Sequence, residues 1–150
     1  LIEIAEALGT TLVFVTHTAT DALSVATRVI VLDEGRIVQS DVPTRIYYHP
    51  KNRAVGEISG ELMELDASVL AHFGLSDKLP RAFARPSAFA MAKAPEGHIV
   101  RVEQRFFYGD SYKYYFKVGD KSLFLYSSEV FEPATKIYVK LLPEGLIQFD

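Results

Sequence analysis

The chain contains no cysteine. That excludes a disulfide framework, a thiol nucleophile and any cysteine-based zinc site. No sign of charge dominates: 16 basic and 19 acidic side chains leave a net charge of -3, too little for a broad field that would draw in nucleic acid. The four histidines, His17, His49, His72 and His98, are scattered, and no H-E-x-x-H or comparable ligand spacing links them, so no metal site is expected. No apolar run approaches the roughly 20 residues that a membrane-spanning helix needs, so the chain is not expected to cross a bilayer. The opening residues, Leu1-Ile2-Glu3-Ile4-Ala5-Glu6, lack the basic start and apolar core of a signal peptide, and no initiator Met precedes them. They begin inside an amphipathic pattern, which reads as a piece of something longer.

What is present is 150 residues, 49% of them hydrophobic and 23% charged. This suits one ordinary domain or two small ones, with enough apolar surface to offset chain entropy. Phe14, Tyr47 and Tyr48 are the aromatics of residues 1–60, whereas the other fifteen fall in 61–150. In the first part, Ile2, Ile4, Ala5 and Leu8 suggest the end of a helix stopped at Gly9. Thr11 to Thr16 is a short apolar, β-branched run, expected to be a strand buried on both faces. Thr20 to Thr27 reads as a helix with Ala22, Leu23 and Ala26 inward and Thr18 or Thr20 as N-cap. Val29–Leu32 and Arg36–Gln39 flank Asp33-Glu34-Gly35 as a hairpin. Pro43 to Tyr48 fits a short helix with Pro in its first turn, ended by Pro50.

The second part reads as mostly β. Ala67 to Phe73 could add a turn or two of helix before Gly74, and Arg85-Pro86 opens a new segment. From His98, alternation places Val100, Val102, Gln104 and Phe106 on one face. Tyr112, Tyr114, Phe116 and Val118 share another, opposite Lys113, Tyr115 and Lys117. Gly119-Asp120 signals a turn into Ser122–Tyr126, and Ile137, Val139 and Leu141 alternate in a last long strand. Short strands at this spacing suggest a small barrel or sandwich.

Two features invite a catalytic reading. Val29-Ile30-Val31-Leu32-Asp33-Glu34 matches an NTPase strand ending in a magnesium-binding Asp-Glu pair. That chemistry also needs a G-x-x-x-x-G-K-[ST] loop to cradle phosphates, and none of the nine glycines is followed by Lys. The pair therefore reads as a turn. His17 follows a buried-type strand and precedes a helix, the carboxyl-end position where open α/β sheets bind ligands.

The string Gly9-Thr10-Thr11-Leu12-Val13-Phe14-Val15-Thr16-His17, then Asp21-Ala22-Leu23, Ala26 to Leu32, Gly35 to Gln39, Pro43, Ile46-Tyr47 and Pro50 resembles the end of the nucleotide-binding domain of ABC transporter ATPases. The likeness is to importer ATPases with a C-terminal accessory domain. Arg85-Pro86, Tyr108-Gly109-Asp110-Ser111-Tyr112, Val139 to Glu144 and Phe149-Asp150 are similar to that accessory domain, the oligomer-binding-fold TOBE domain. Three positions depart from the pattern: Thr18 stands where Asp is usual after the histidine, Ser40 for Gly, and Ser87 for the Glu of Arg-Pro-Glu.

The resemblance implies an α+β chain: a truncated α/β remnant of an ABC ATPase domain followed by a mainly β, OB-like (TOBE) barrel. Residues 1–60 would be the end of the nucleotide-binding domain, 61–82 a linker and 83–150 the accessory domain. His17 would be the switch histidine that senses the γ-phosphate. The intact subunit would use ATP and Mg to drive solute uptake, of ferric iron or a polyamine for instance. It would pair with a second ATPase subunit as a homodimer and with membrane-spanning permease subunits, and it would be cytoplasmic, peripheral on the inner face of the cell membrane. The family's phosphate loop, glutamine loop, signature, metal-binding strand and D-loop all precede the switch histidine, and only 16 residues precede His17. The chain alone is thus expected to hold no complete cofactor site and to be inactive. Without neighbouring strands, residues 11–16 should leave it prone to self-associate, rearrange or stay partly disordered before about residue 60.

A rival reading is a free-standing OB-fold module for an oligonucleotide or a small anion. Lys113, Lys117 and Lys121 with Tyr112, Tyr115 and Tyr126 have the residue types for single strands, and His98, Arg101 and Arg105 for an anion. Alternation instead puts Tyr112, Tyr114 and Phe116 in the core and the lysines on a solvated face. Residues 61–150 carry 11 basic and 12 acidic side chains, so no nucleic-acid partner is expected. The accessory domain could also serve subunit pairing or regulation. His49 and His72 read as surface residues.

Overall fold

A computed structural model describes residues 2–75 and 80–149. The chain divides into two compact units, Leu1–Gly60 and Glu61–Asp150. Described strands outnumber helices, every helix is short, and all strand pairing is antiparallel.

In the first unit, α1 (Ile2–Ala7) ends as its sequence predicts. Gly9 takes φ 61, a left-handed conformation that costs glycine little. The turn lets Thr10 N–H donate to Ala5 O at 2.9 Å, satisfying a carbonyl at the helix end. The strand expected over 11–16 does not form. Leu12, Val13, Phe14 and Val15 are 45%, 83%, 54% and 90% exposed, and no described strand pairs with them. A strand is buried on both faces only when neighbours take its N–H and C=O groups and layers cover it; the first unit supplies neither.

Helix α2 (Ala19–Val25) has Thr18 at its N-cap position, without a side-chain cap bond. Ala22 and Leu23 of the helix and Ala26 at its C-cap are half-buried, on the expected side. Strands β1 (Val29–Asp33) and β2 (Arg36–Asp41) form the expected hairpin. Glu34 at φ 46 and Gly35 at φ 75 supply the two positive φ angles of a tight hairpin turn. Helix α3 (Pro43–Tyr48) begins at its proline as expected. The α4 helix (Arg53–Ile58) is capped by Asn52, whose side-chain oxygen accepts Val55 N–H at 2.9 Å. Gln39 ties these helices to the hairpin: its amide donates to His49 O at 3.2 Å, and its side-chain oxygen accepts Lys51 N–H at 2.7 Å. Val31, Ile46 and Val55 form the core, with Leu23, Val29 and Val38 packed around them.

The second unit begins inside the span expected to be a linker. Strand β3 (Met63–Asp66) and helix α5 (Ala67–His72) occupy it, and Leu65, Val69 and Leu70 lie fully within the core. The helix expected over Ala67 to Phe73 starts on a side-chain cap: Asp66 Oδ1 accepts the N–H groups of both Ser68 and Val69 at 3.0 Å. Residues 76–79, also within that span, lie outside the described residues. The chain continues through β4 (Arg81–Ala84), a single turn at Pro86–Ala88, and β5 (Phe89–Ala92). Then follow β6 (His98–Phe107), β7 (Tyr112–Val118), β8 (Lys121–Ser127), β9 (Lys136–Leu141) and β10 (Leu146–Ile147). One sheet has the order β10-β4-β3 and the other β5-β9-β6-β7-β8, the latter curled like half a barrel.

Tyr114, Phe116 and Val118 are buried as their alternation predicts, and so are Ile137, Val139 and Leu141. Tyr114 also has a satisfied hydroxyl, donating to Glu129 O at 2.7 Å and accepting Phe131 N–H at 3.1 Å. The face assigned to β6 is corrected. Val100 and Val102 are buried, but the register shifts between Val102 and Gln104, so Gln104 pairs with Tyr115 and Arg105 with Tyr114. A bulge adds one residue and reverses which side chains face the core beyond it, leaving Gln104 and Phe106 exposed.

The apolar run left open in the first unit has a direct consequence. Residues 10–16 carry no charge and no proline, the profile of a segment that pairs with copies of itself. Light scattering should detect concentration-dependent self-association of this chain, and Val13→Lys with Val15→Lys should suppress it.

Candidate functional site

His17 lies in the bend between the extended run and α2 and is exposed. Thr18 N–H donates to Thr16 Oγ1 at 3.0 Å, which turns the chain at this point. The parallel-sheet edge expected to position His17 is absent among the described strands, and no described hydrogen bond or ion pair holds its ring. Asp33 ends β1 opposite Arg36, and Glu34 occupies the hairpin turn. No group of three or more His, Asp or Glu side chains gathers as metal ligands among the described residues.

The proposed anion set of the second unit is dispersed. The bulge turns Arg105 toward the loop before β9, where Nη1 donates to Phe131 O at 3.0 Å and to Glu132 Oε1 at 2.9 Å. The Glu132 bond holds the guanidinium above its ordinary range. Arg101 pairs across the ladder with Lys136. His98 packs its ring against His72 and Phe73.

The lysines correct a further expectation. Lys113 was assigned to a solvated face, yet its side chain is 8% exposed. Its ammonium sits 3.8 Å from the centre of the Phe124 ring, with Tyr115, Tyr126 and Tyr108 at 5.3, 5.6 and 6.0 Å. Aromatic faces are electron-rich and attract a cation, but they do not replace its hydration. Glu61 does so: Lys113 Nζ donates to Glu61 Oε1, and Tyr126 Oη donates to Glu61 Oε2 at 2.8 Å. Arg85, itself fully buried, donates from Nη1 to the backbone oxygen of Glu61 at 3.0 Å. Burial pushes the Lys113 ammonium down, but the bonds to Glu61 and Tyr115 and the Glu61 charge outweigh it, so it stays above the ordinary lysine range. Burial raises the Tyr126 phenol, and the bond to Glu61 raises it further.

Lys117 faces Glu103 at 3.7 Å and Lys121 faces Asp66 at 3.9 Å. Each lysine of the proposed basic groove thus meets a carboxylate, which does not make an open track for a nucleic-acid backbone. Sequence reasoning missed Glu61 altogether. The signal available was the placement of Lys113 between aromatics on two neighbouring strands; the carboxylate comes from 52 residues away, a separation no local pattern reveals.

No protein-family profile matches the chain. Curated relatives do. It is 28% identical to the spermidine/putrescine import ATP-binding protein PotA of Desulfitobacterium hafniense over 95% of this chain and 46% of that protein. It is 44% identical to the protein of the same name from Shigella boydii over 42% of this chain and 17% of that one. The Fe(3+) ions import ATP-binding protein FbpC 2 of Rhizobium meliloti is 40% identical over 45% of this chain and 17% of its own length. The chain spans less than half the length of these relatives. It matches the C-terminal part of ABC-importer ATP-binding subunits.

The Glu61 arrangement makes an asymmetric prediction. Glu61→Gln leaves a buried cation facing a neutral amide and should cost roughly 2 kcal/mol. Lys113→Met replaces that cation by an apolar chain and should cost less, and the double variant should recover part of the Glu61→Gln loss. Chemical denaturation of the three variants measures the ordering.

Proposed function

We propose that this chain is the C-terminal part of the ATP-hydrolysing subunit of an ABC importer. Its first unit is the end of the nucleotide-binding domain, and its β-rich second unit is an OB-like (TOBE) accessory domain for subunit pairing or regulation. The observation that carries this reading is the match over 95% of the chain to one spermidine/putrescine import ATP-binding protein, which runs through both units. The cargo that accompanies it is a polyamine or ferric iron, after the names of the relatives. The intact subunit works with a second copy and with permease subunits at the cytoplasmic face of the membrane. No helix among the described residues is long and apolar enough to cross a membrane.

His17 is the switch histidine in this reading. An exposed imidazole can donate an N–H to a phosphate oxygen, so it can report whether a terminal phosphate is present. The residues of this chain do not make up a magnesium–nucleotide site. No glycine is followed by lysine, and Asp33 and Glu34 form the end of a strand and its turn. ATP and magnesium therefore belong to the intact subunit, where positioning and charge neutralisation accomplish phosphoryl transfer. Thr18, in place of the usual Asp, removes a negative charge beside the histidine and leaves the histidine itself intact.

In the intact subunit, His17→Ala should retain ATP binding and lose roughly a hundredfold in hydrolysis, with transport falling in parallel; uptake at the normal rate would refute the role. The 150-residue chain by itself should release no phosphate from magnesium-ATP. Turnover by it would overturn the assignment of the missing machinery to the rest of the subunit.

A further inference from the structure

Helix α5 ends where two histidine rings meet. The His72 ring lies 5.6 Å from that of His98, at the first residue of β6, with the planes tilted by 47°. Phe73, next in the chain, packs edge-on against His98 at 5.4 Å and against Phe89 at 5.6 Å. The last turn of α5 is therefore held to the start of β6 by a three-ring contact. Nε2 of His72 is buried with no hydrogen-bond partner among the described residues.

A neutral imidazole tolerates this arrangement, because an unprotonated ring nitrogen costs only its own lost hydration. An imidazolium does not. It would place an N–H with no acceptor in the buried position, and it would set a positive charge against a second histidine. We propose that the His72–His98 contact is an acid-sensitive clasp, which holds the end of α5 on the β-sheet at neutral pH and releases it as His72 takes up a proton.

Surrounding charges do not offset this. Asp66 sits at the opposite end of α5, bound to the helix N-terminus and facing Lys121. The lysines of β7 face Glu61 and Glu103, and Arg101 and Lys136 pair three residues further along the β6–β9 ladder. Among the described residues around α5, His98 is the titratable group that meets the His72 ring. Burial lowers the His72 pKa from its ordinary 6.5, His98 lowers it further, and a bond to the Ile99 backbone pushes the other way.

The sign follows from linkage. Because the folded value lies below the unfolded one, the unfolded chain binds the proton first. The contribution to stability is complete above pH 6.5 and is lost as the pH falls from there through the folded value. One proton limits the change to about tenfold in the folding constant per pH unit.

The test is a proton NMR titration of the histidine rings in the whole chain, with amide protection factors along α5 between pH 7.5 and 5. The expected result is a His72 midpoint below 6.5 and α5 protection that falls several-fold toward acid. His72→Phe should abolish that fall, and His98→Gln, which removes a ring that lowers the His72 pKa, should move it to higher pH. A His72 midpoint at or above the ordinary value would overturn the clasp, as would protection that is constant across the range. The same decline in His72→Phe would also overturn it. Should that variant not fold, the wild-type ring titration still decides.

Discussion

Glu61 makes the arrangement on the outer face of β7 and β8 possible. A lysine near the start of a strand cannot be buried against four aromatic rings unless something replaces its water. One carboxylate does so, dividing its two oxygens between the Lys113 ammonium and the Tyr126 hydroxyl. The carbonyl of the same residue receives a guanidinium that is itself buried. Cations on two segments thus converge on the first residue of the second unit. Taking away the carboxylate would strand a charge among aromatic rings, whereas taking away both charges would leave an apolar patch. This asymmetry is why a mostly apolar sheet tolerates a lysine there.

The two units solve the problem of burial with very different means. The second spreads its core over both sheets and α5, from Met63 to Leu141. The first has three buried apolar residues at its centre, and it leaves Ile30, Leu32 and Ile37 of the hairpin exposed along with the run before His17. Its order rests instead on polar staples: the Asn52 cap, the two-ended Gln39 bridge and the Asp41–Arg45 pair at 3.0 Å. Such bonds contribute about 1 kcal/mol each at most, and the exposed ion pair less, so this unit has little reserve.

Much of the architecture was legible locally. The hairpin around Glu34-Gly35, the Pro43 helix, the glycine stop after α1 and the alternation of Tyr112 to Val118 all follow from backbone preferences within a few residues. Four features were not. Residues 11–16 have the composition of a buried strand, but composition states what a segment suits and cannot supply its neighbours. Lys113 looked solvated because alternation identifies a face without saying what covers it. His17 was singled out by an expected strand end and by family likeness; its exposed bend, without a described partner, has no local geometry of its own that marks it. His72 was misread as a surface residue because its partner His98 lies on a strand far along the chain.

The register shift in β6 has an implication of another kind. From His98 to Arg101 the strand is laddered to β9, and from Val102 to Phe107 to β7. The extra residue near the changeover means that the two halves answer to opposite rules for which side chain faces in. A substitution before the shift is judged by β9 and the core, and one after it by β7 and the aromatic face. Although continuous in the chain, β6 therefore packs as two short strands laid end to end. Each half can change with its own neighbour, and a one-residue deletion at the joint would force both to obey a single pattern.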